Sequence, residues 1–192
     1  MLSSKEKIIV ALSGGVDSAV SALKLSRMGF NIIGVTFKLW EFQLSPHNRR
    51  DNLCCSSEGI LAAQELCRKL NCEHIIYDVS EQFFQQVVKD FLSEYKLGRT
   101  PNPCIICNPQ IKWSHLIKLA DKLGANYVAT GHYARTFRTY RQSFNLVRGA
   151  DREKDQSYFL YRLSQQQLAR TKFPVGNMLK SQVQNIAKSL DL

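Results

Sequence analysis

The sequence is short of acid. Sixteen aspartates and glutamates stand against 26 lysines and arginines, a formal charge of +10 over 192 residues. That imbalance excludes an acidic surface and favours a polyanionic partner such as RNA. A basic surface kept only for solubility would give the same count. Long apolar runs are also missing. No stretch approaches the roughly 20 residues that a bilayer-crossing helix needs, so no membrane partner is expected. The polar opening Met1-Leu2-Ser3-Ser4-Lys5-Glu6-Lys7 runs straight into an apolar segment, without room for a signal or transit peptide. A cytoplasmic or organelle-interior address is the expectation. Internal repeats and low-complexity tracts are absent, which excludes a solenoid and leaves one sizeable core.

What is present alternates. Ile8–Leu12 reads as a buried strand, and Val16, Ala19, Val20 and Leu23 then recur at helical spacing up to Gly29. Asn31–Thr36 reads as a second strand, and Phe37–Ser57 as a long functional loop. Ile60, Ala63, Cys67 and Leu70 mark a helix, and His74–Tyr77 a third strand. Phe84, Val87, Val88, Phe91, Leu92 and Tyr95 form a helical stripe with Ser80 as its N-cap. Lys96–Asn108 reads as a loop. Trp113, Leu116, Ile117 and Ala120 make a helix closed by Gly124, and Tyr127–Thr130 a fourth strand. Such alternation predicts an α/β fold with a doubly wound parallel sheet. Beyond Tyr133 the pattern changes to a hairpin, Ala134–Tyr140 with Phe144–Arg148, and a last helix with Val183, Ile186, Ala187 and Leu190 inward. Residues 1–135 are therefore expected to form a nucleotide-binding catalytic domain. Residues 136–192 are expected to form a small hairpin-and-helix appendage.

Ser13-Gly14-Gly15-Val16-Asp17-Ser18 sits between the first strand and the first helix. Paired glycines let bare backbone amides approach an anion, and the helix adds its partial positive end. The Lys-Ser/Thr pair of the common phosphate loop is lacking, which excludes that motif. Asp17 repels phosphate and makes sense if Mg²⁺ bridges the two. The hexapeptide resembles the PP-loop of ATP pyrophosphatases, which cleave ATP between its α and β phosphates. The resemblance implies ATP and Mg²⁺ as cofactors.

Six cysteines in an intracellular setting read as thiols rather than disulfides. Cys67 falls at a core-facing helical position, as inert packing. Cys104-Ile105-Ile106-Cys107 follows two stiffening prolines, Pro101 and Pro103. Cys107 stands just before a helix expected to start at Pro109 or Gln110, whose dipole would favour its thiolate. Three readings stay open: a persulfide-carrying pair, half of a zinc or iron–sulfur site with Cys54 and Cys55 as the other half, and packing.

Taken in order, SGGVDS at Ser13–Ser18, CCS at Cys54–Ser56, TPNPCIICN at Thr100–Asn108, ATGHYA at Ala129–Ala134 and DREKDQSYFL at Asp151–Leu160 are similar to the tRNA-specific 2-thiouridylase family. The resemblance runs from residue 7 to the end. It implies ATP-dependent 2-thiolation of the wobble uridine of tRNA, by adenylation of the C2 oxygen and sulfur transfer from a cysteine persulfide. It implies tRNA and a sulfur-relay persulfide donor as partners. Ala11, Leu12, Ser13, Gly14, Gly15, Val16, Asp17, Ser18, Phe37 and Gly131 fall at nucleotide-contacting positions. Cys107 falls at the nucleophilic cysteine, and Asn102, Pro103 and Cys104 at positions meeting the target base. Lys154, Asp155 and Gln156 fall on a tRNA-contacting stretch. Two departures stand out. Many relatives carry aspartate where this chain has Cys104, so Cys104 and Cys107 are either a catalytic thiol pair or two iron–sulfur ligands. The family's second catalytic cysteine lies beyond this segment. Another PP-loop adenylating enzyme and a non-catalytic ATP- and tRNA-binding fragment are the rival readings. Arg135, Arg138, Arg141, Arg148, Arg152 and Lys154 are the expected RNA contacts, and His132 stands as either a phosphate donor or a structural hydrogen bond.

Overall fold

Lys7–Ala11 (β1) is the middle of the sheet, because Ile8, Ile9 and Val10 have no exposed surface. An unbroken apolar run is what a parallel strand covered on both faces requires. The computed structural model describes residues 6–40 and 57–189. Asn31–Lys38 (β2) pairs parallel with β1, Ile33 opposite Ile9, and Glu73–Asp78 (β3) pairs with β2. Tyr127–Ala129 (β4) takes the other side of β1, with Val128 opposite Ile9. Ala134–Arg138 (β5) and Phe144–Arg148 (β6) form the expected antiparallel hairpin. Thr171–Lys172 (β7) adds to β4, so the main sheet has five strands in the order β3-β2-β1-β4-β7.

Helices cover both faces, as the alternation requires. Val16–Arg27 (α1) and Ser57–Lys69 (α2) bury Ala22, Leu25, Ala63, Leu66 and Cys67 against Ile8, Val10 and Ile32. Gly29 and Gly124 follow the ends of α1 and of the later helix Ser114–Leu123 where expected. The opposite face carries Ser80–Phe83 (α3), Lys89–Lys96 (α4), Pro103–Cys107 (α5) and Ser114–Leu123 (α6). Phe83, Ile111, Trp113 and Leu116 pack there with Ile9, Ile33, Val35 and Val128. Gln165–Ala169 (α7) precedes β7, and Lys180–Lys188 (α8) lies on α1, with Val183 and Ala187 in one cluster with Val20 and Tyr133. Leu190 lies outside the described residues.

Local expectations needed correction at several points. The second strand runs on to Lys38, past the expected loop start at Phe37. Ser80 is not an N-cap but the first helical residue. The Asp78 carboxylate accepts from its amide and hydroxyl at 2.9 and 2.6 Å, supplying the cap from two residues earlier. The apolar stripe does not stay on the core. A π turn over Phe84–Val88 inserts an extra residue and rotates the next stretch of helix by about 100°. Val87 is buried, but Leu92 and Tyr95 are exposed and α4 buries none of its residues. The expected loop 96–108 is helical from Pro103 onward, and the helical path continues to Leu123 through a second π turn, Asn108–Trp113. Pro109 suggests a fresh helix start in the sequence, because proline breaks an α-helical ladder. The wider turn absorbs its missing donor instead.

Candidate functional site

From β1 the chain moves to β2 and β3 on one side, then returns to β4 on the other. The reversal opens a crevice at the carboxyl ends of β1 and β4, the usual ligand position in such sheets. Leu12–Ser18 leaves β1 there, and Thr130-Gly131 leaves β4. The two loops touch: a Cβ on Gly131 would stand 2.6 Å from the Ser18 nitrogen and 2.8 Å from the Asp17 carbonyl carbon. Gly14 has φ +77°, and a Cβ there would fall 2.2 Å from the Cα of Gly59, at the start of α2. The phosphate-loop candidate is thus wedged between two helix starts and the end of β4.

Helix α1 begins on Gly15 with no side-chain cap, so its first-turn amides are left to the crevice together with the positive helix end. Ser13 and Gly15 are exposed and Leu12 and Ser18 are buried, while Ala11 ends β1 and Val16 opens α1. The Ser18 hydroxyl donates to the Gly15 carbonyl at 2.8 Å and accepts from the Ser13 amide at 3.2 Å. It holds the loop's shape rather than reaching outward. Phe37 is buried near the end of β2, edge-on to Tyr77 at 6.1 Å between centroids.

Asp17 already has partners that the sequence does not advertise. Lys180 Nζ donates to both carboxylate oxygens, at 2.6 and 2.7 Å, and the Tyr133 hydroxyl donates to Oδ1 at 2.8 Å. Lys180 supplies a cation where the sequence suggests Mg²⁺. Burial, then the bond to the Asp17 carboxylate, raises the Tyr133 phenol above its ordinary range and keeps it a donor. Lys180 lies 163 positions from Asp17 and Tyr133 lies 116 away, so no local spacing could reveal either.

The same two residues reach the 151–156 segment. The Lys180 amide donates to Asp151 Oδ2 at 2.8 Å, while Asp151 Oδ1 takes the amides of Glu153 and Lys154 at 3.1 and 3.2 Å. Gln156 bonds the Tyr133 backbone twice, accepting from its amide through Oε1 and donating its own amide to its carbonyl, both at 2.9 Å. Asp155 is taken up by Gly149 and Ser157. Of Lys154, Asp155 and Gln156, only Lys154 is exposed. Arg138, Arg141, Arg148 and Arg152 are exposed as well, whereas Arg135 is half-buried and donates to the Arg148 carbonyl at 2.7 Å.

The cysteine segment departs from expectation. Asn102 caps α5, its Oδ1 accepting the Cys104 amide at 3.2 Å, with Pro103 in the first turn. The helix start therefore serves Cys104, which is exposed. Cys107 is 7% exposed, inside a continuous helical path and in the core cluster with Phe83, Ile111, Trp113 and Leu160. The helix-start argument for its reactivity does not hold. Asn108 donates to the Phe159 carbonyl at 2.9 Å, and its buried Oδ1 has no protein partner. Cys54, Cys55 and most of the 37–57 loop fall outside the described residues. Among the described residues no group of three or more His, Cys, Asp or Glu side chains could hold a metal ion. His132 meets Thr130 Oγ1 at 2.9 Å and lies against Trp113, 5.6 Å between ring centroids. Burial, then the Lys112 charge, pushes it down to about 3, so the ring is neutral. A separate cavity of about 940 Å³ lies between α6 and α7, lined by Trp113, Lys118, Gln167 and Arg170 among others, and shares no residue with the crevice. No described helix is long and apolar enough to cross a membrane.

A model of the family described as tRNA methyl transferase HUP domain matches residues 6–192. The tRNA-specific 2-thiouridylase MnmA of Amoebophilus asiaticus is 43% identical over 183 residues, 95% of this chain and 48% of the relative. That of Proteus mirabilis is 45% identical over 190 residues, 98% and 50% of the two chains. The chain thus spans about half the length of the curated relatives it matches. Among solved structures, NMN synthetase from Francisella tularensis aligns with a TM-score of 0.55 at 20% identity, over 97% of this chain and 62% of that one. Glutamine-dependent NAD+ synthetase from Acinetobacter baumannii, in complex with ADP, gives 0.54 at 14%, over 97% and 29%. At such identities the likeness is one of fold.

Proposed function

Since this chain belongs to the tRNA methyl transferase HUP-domain family, we propose that it is the nucleotide-binding portion of an enzyme that thiolates tRNA. One observation carries the reading. Ser13–Ser18 and Ala129–Ala134 meet at the Asp17 carboxylate through Tyr133, and Asp151–Leu160 is joined to them through the backbones of Tyr133 and Lys180.

In this reading ATP lies in the crevice, its phosphates on the amides of Ser13–Ser18 and its adenosine toward Ala11, Leu12, Phe37 and Gly131. Uncapped amides at a helix start stabilise the charge that builds as diphosphate leaves. Adenylation of the uridine C2 oxygen converts it into a leaving group. Asp17 is the carboxylate that would hold Mg²⁺, which would screen the phosphates, and Lys180 would give way to it. Asn102, Pro103 and Cys104 would meet the target base, and Lys154, Asp155 and Gln156 the tRNA. The base must leave its stack to be reached.

The thiols divide the sulfur step. Exposed Cys104 is the one a persulfide donor protein can reach, and Cys107 stands one helical turn away on the same face of α5, where its thiolate would take the outer sulfur of a Cys104 persulfide and release Cys104 as a thiolate. A persulfide on Cys107 attacks C2 through its terminal sulfur, and AMP departs. The Cys104 thiolate then attacks the Cys107 sulfur. Their S–S bond forms, the persulfide bond breaks and sulfur stays on C2 as the thiocarbonyl. An external dithiol reduces the Cys104–Cys107 disulfide. This assignment requires Cys107 to lose its cover when substrates bind. The alternative role of Cys104 and Cys107, ligands of an iron–sulfur cluster, needs further ligands from elsewhere in the protein. A tRNA substrate is consistent with a cytoplasmic or organelle-interior setting.

Incubation with ATP, a persulfide source and unmodified tRNA tests the reading, with and without anaerobic iron reconstitution. AMP, pyrophosphate and 2-thiouridine are expected, dependent on tRNA. Adenylate without thiolation would favour another adenylating enzyme. Tight tRNA binding with no pyrophosphate release favours a second reading, a non-catalytic binding fragment, to which the burial of Cys107 lends weight.

A further inference from the structure

Two struts connect the 151–156 segment to the phosphate loop, and both end on one carboxylate. The first runs from Asp151 through the backbone amide of Lys180 and out along its side chain to Asp17. The second runs from Gln156 through the backbone of Tyr133 and out along its ring to the same Asp17. Each strut therefore uses one residue that is pinned by its main chain at the segment and delivers its side chain to the loop. We infer that Tyr133 and Lys180 are positioning residues that couple tRNA contact at residues 151–156 to nucleotide affinity at Ser13–Ser18. The inference rests on the proposed function, since it takes that segment to touch tRNA and that loop to hold phosphate.

The switching element is the Lys180 ammonium. Its side chain is 28% exposed and Asp17's is 33%, so the pair sits at the crevice wall with room to part. Arrival of phosphate offers the ammonium a second anion, and Asp17 is then open to a cation. Among the described residues no other cation pairs with Asp17. The Tyr133 hydroxyl remains on Oδ1 and keeps the carboxylate oriented during the exchange. Because Asp151 also ties down the amides of Glu153 and Lys154, whatever orders the exposed Lys154 fixes the root of Lys180 as well. Order imposed at either end lowers the cost of order at the other, and the effect is reciprocal by linkage.

The experiment measures the dissociation constant of unmodified tRNA with and without an ATP analogue whose α–β bridge cannot be cleaved. The same is done for the analogue with and without tRNA. Wild type should give the same factor both ways, roughly tenfold, within the range of typical couplings. Tyr133→Phe and Lys180→Met should each reduce it to about threefold or less, and Lys180→Arg should restore most of it. A purely structural role would weaken either ligand alone and leave the ratio unchanged. An unaltered factor in Tyr133→Phe with native folding overturns the inference, as does a factor of one in a wild type that binds both ligands. Failure of wild type to bind tRNA or the analogue at all overturns the proposed function, and this inference with it.

Discussion

Replacing Gly15 with alanine separates a glycine kept for the fold from one kept for a ligand. Gly15 sits at φ −89°, ordinary backbone for any residue, and a Cβ there meets nothing closer than the Ser13 hydroxyl at 3.4 Å. Two small effects oppose each other in the free protein. Alanine is a poorer N-cap than glycine by several tenths of a kcal/mol, and it lowers the unfolded-state entropy by about 0.4–1 kcal/mol. The net change should stay within about 1 kcal/mol, a shift in Tm of no more than about 4 °C for a chain this long. Nucleotide binding should respond differently. A methyl group on the exposed, uncapped start of α1 stands where phosphate oxygens would approach the amides in the proposed complex, and overpacking of that kind costs about 1–3 kcal/mol. Affinity for the uncleavable ATP analogue should fall about tenfold or more. Gly14→Ala is the contrasting variant. At φ +77°, with its Cβ 2.2 Å from the Gly59 backbone, it should lose stability before any ligand is added. Calorimetric melting and analogue titration on both variants decide the matter. A Gly15→Ala protein that melts and binds like wild type would refute the placement of phosphate on that amide.

Other tests draw on the same geometry. Alkylation by iodoacetamide, read by peptide mass spectrometry, should modify Cys104 at least about tenfold faster than Cys107 in the free protein, because thiolate access sets the rate. Adding tRNA and the ATP analogue together should narrow the gap, and equal rates from the outset would contradict the burial of Cys107. The affinity for tRNA should fall with salt at a log–log slope of about −4 if Arg138, Arg141, Arg148, Arg152 and Lys154 each meet one phosphate. Arg141→Ala should reduce that slope by about 1, and a flat response would remove the hairpin from the interface. Below its ordinary value of 6.5, His132 takes a proton readily in the unfolded chain but not in the fold. Its contribution is therefore intact above that pH and is lost as pH falls toward 3. Urea titrations of wild type and His132→Asn across that window should converge at low pH.

The crevice is legible in the sequence because its parts are local. Ser13–Ser18 lies between an apolar run and a helical repeat, and Gly131 directly follows a strand, so strand–loop connectivity alone sends both to one edge. The cysteine segment misleads for an equally local reason. Pro109 signals a helix start, and nothing in its neighbourhood announces a π turn that carries the helix through. The earlier π turn, at Phe84–Val88, likewise hides the rotation that exposes Leu92 and Tyr95. Lys180 could not be found by any pattern, since an isolated lysine opening a helix near the end of the sequence looks like a solvated charge. Thr171–Lys172 is too short to give a strand signal, yet its pairing with β4 helps bring α8 back to α1.

The distance along the chain between Asp17 and Lys180 has a consequence for biosynthesis. Translation delivers the anionic member of this pair first and its cationic member only after β7 has been made. A nascent chain lacking α8 has the Tyr133 hydroxyl to bond the Asp17 carboxylate but not yet the Lys180 ammonium. The ion pair that ties α1 to α8 therefore closes only once the chain has grown past β7.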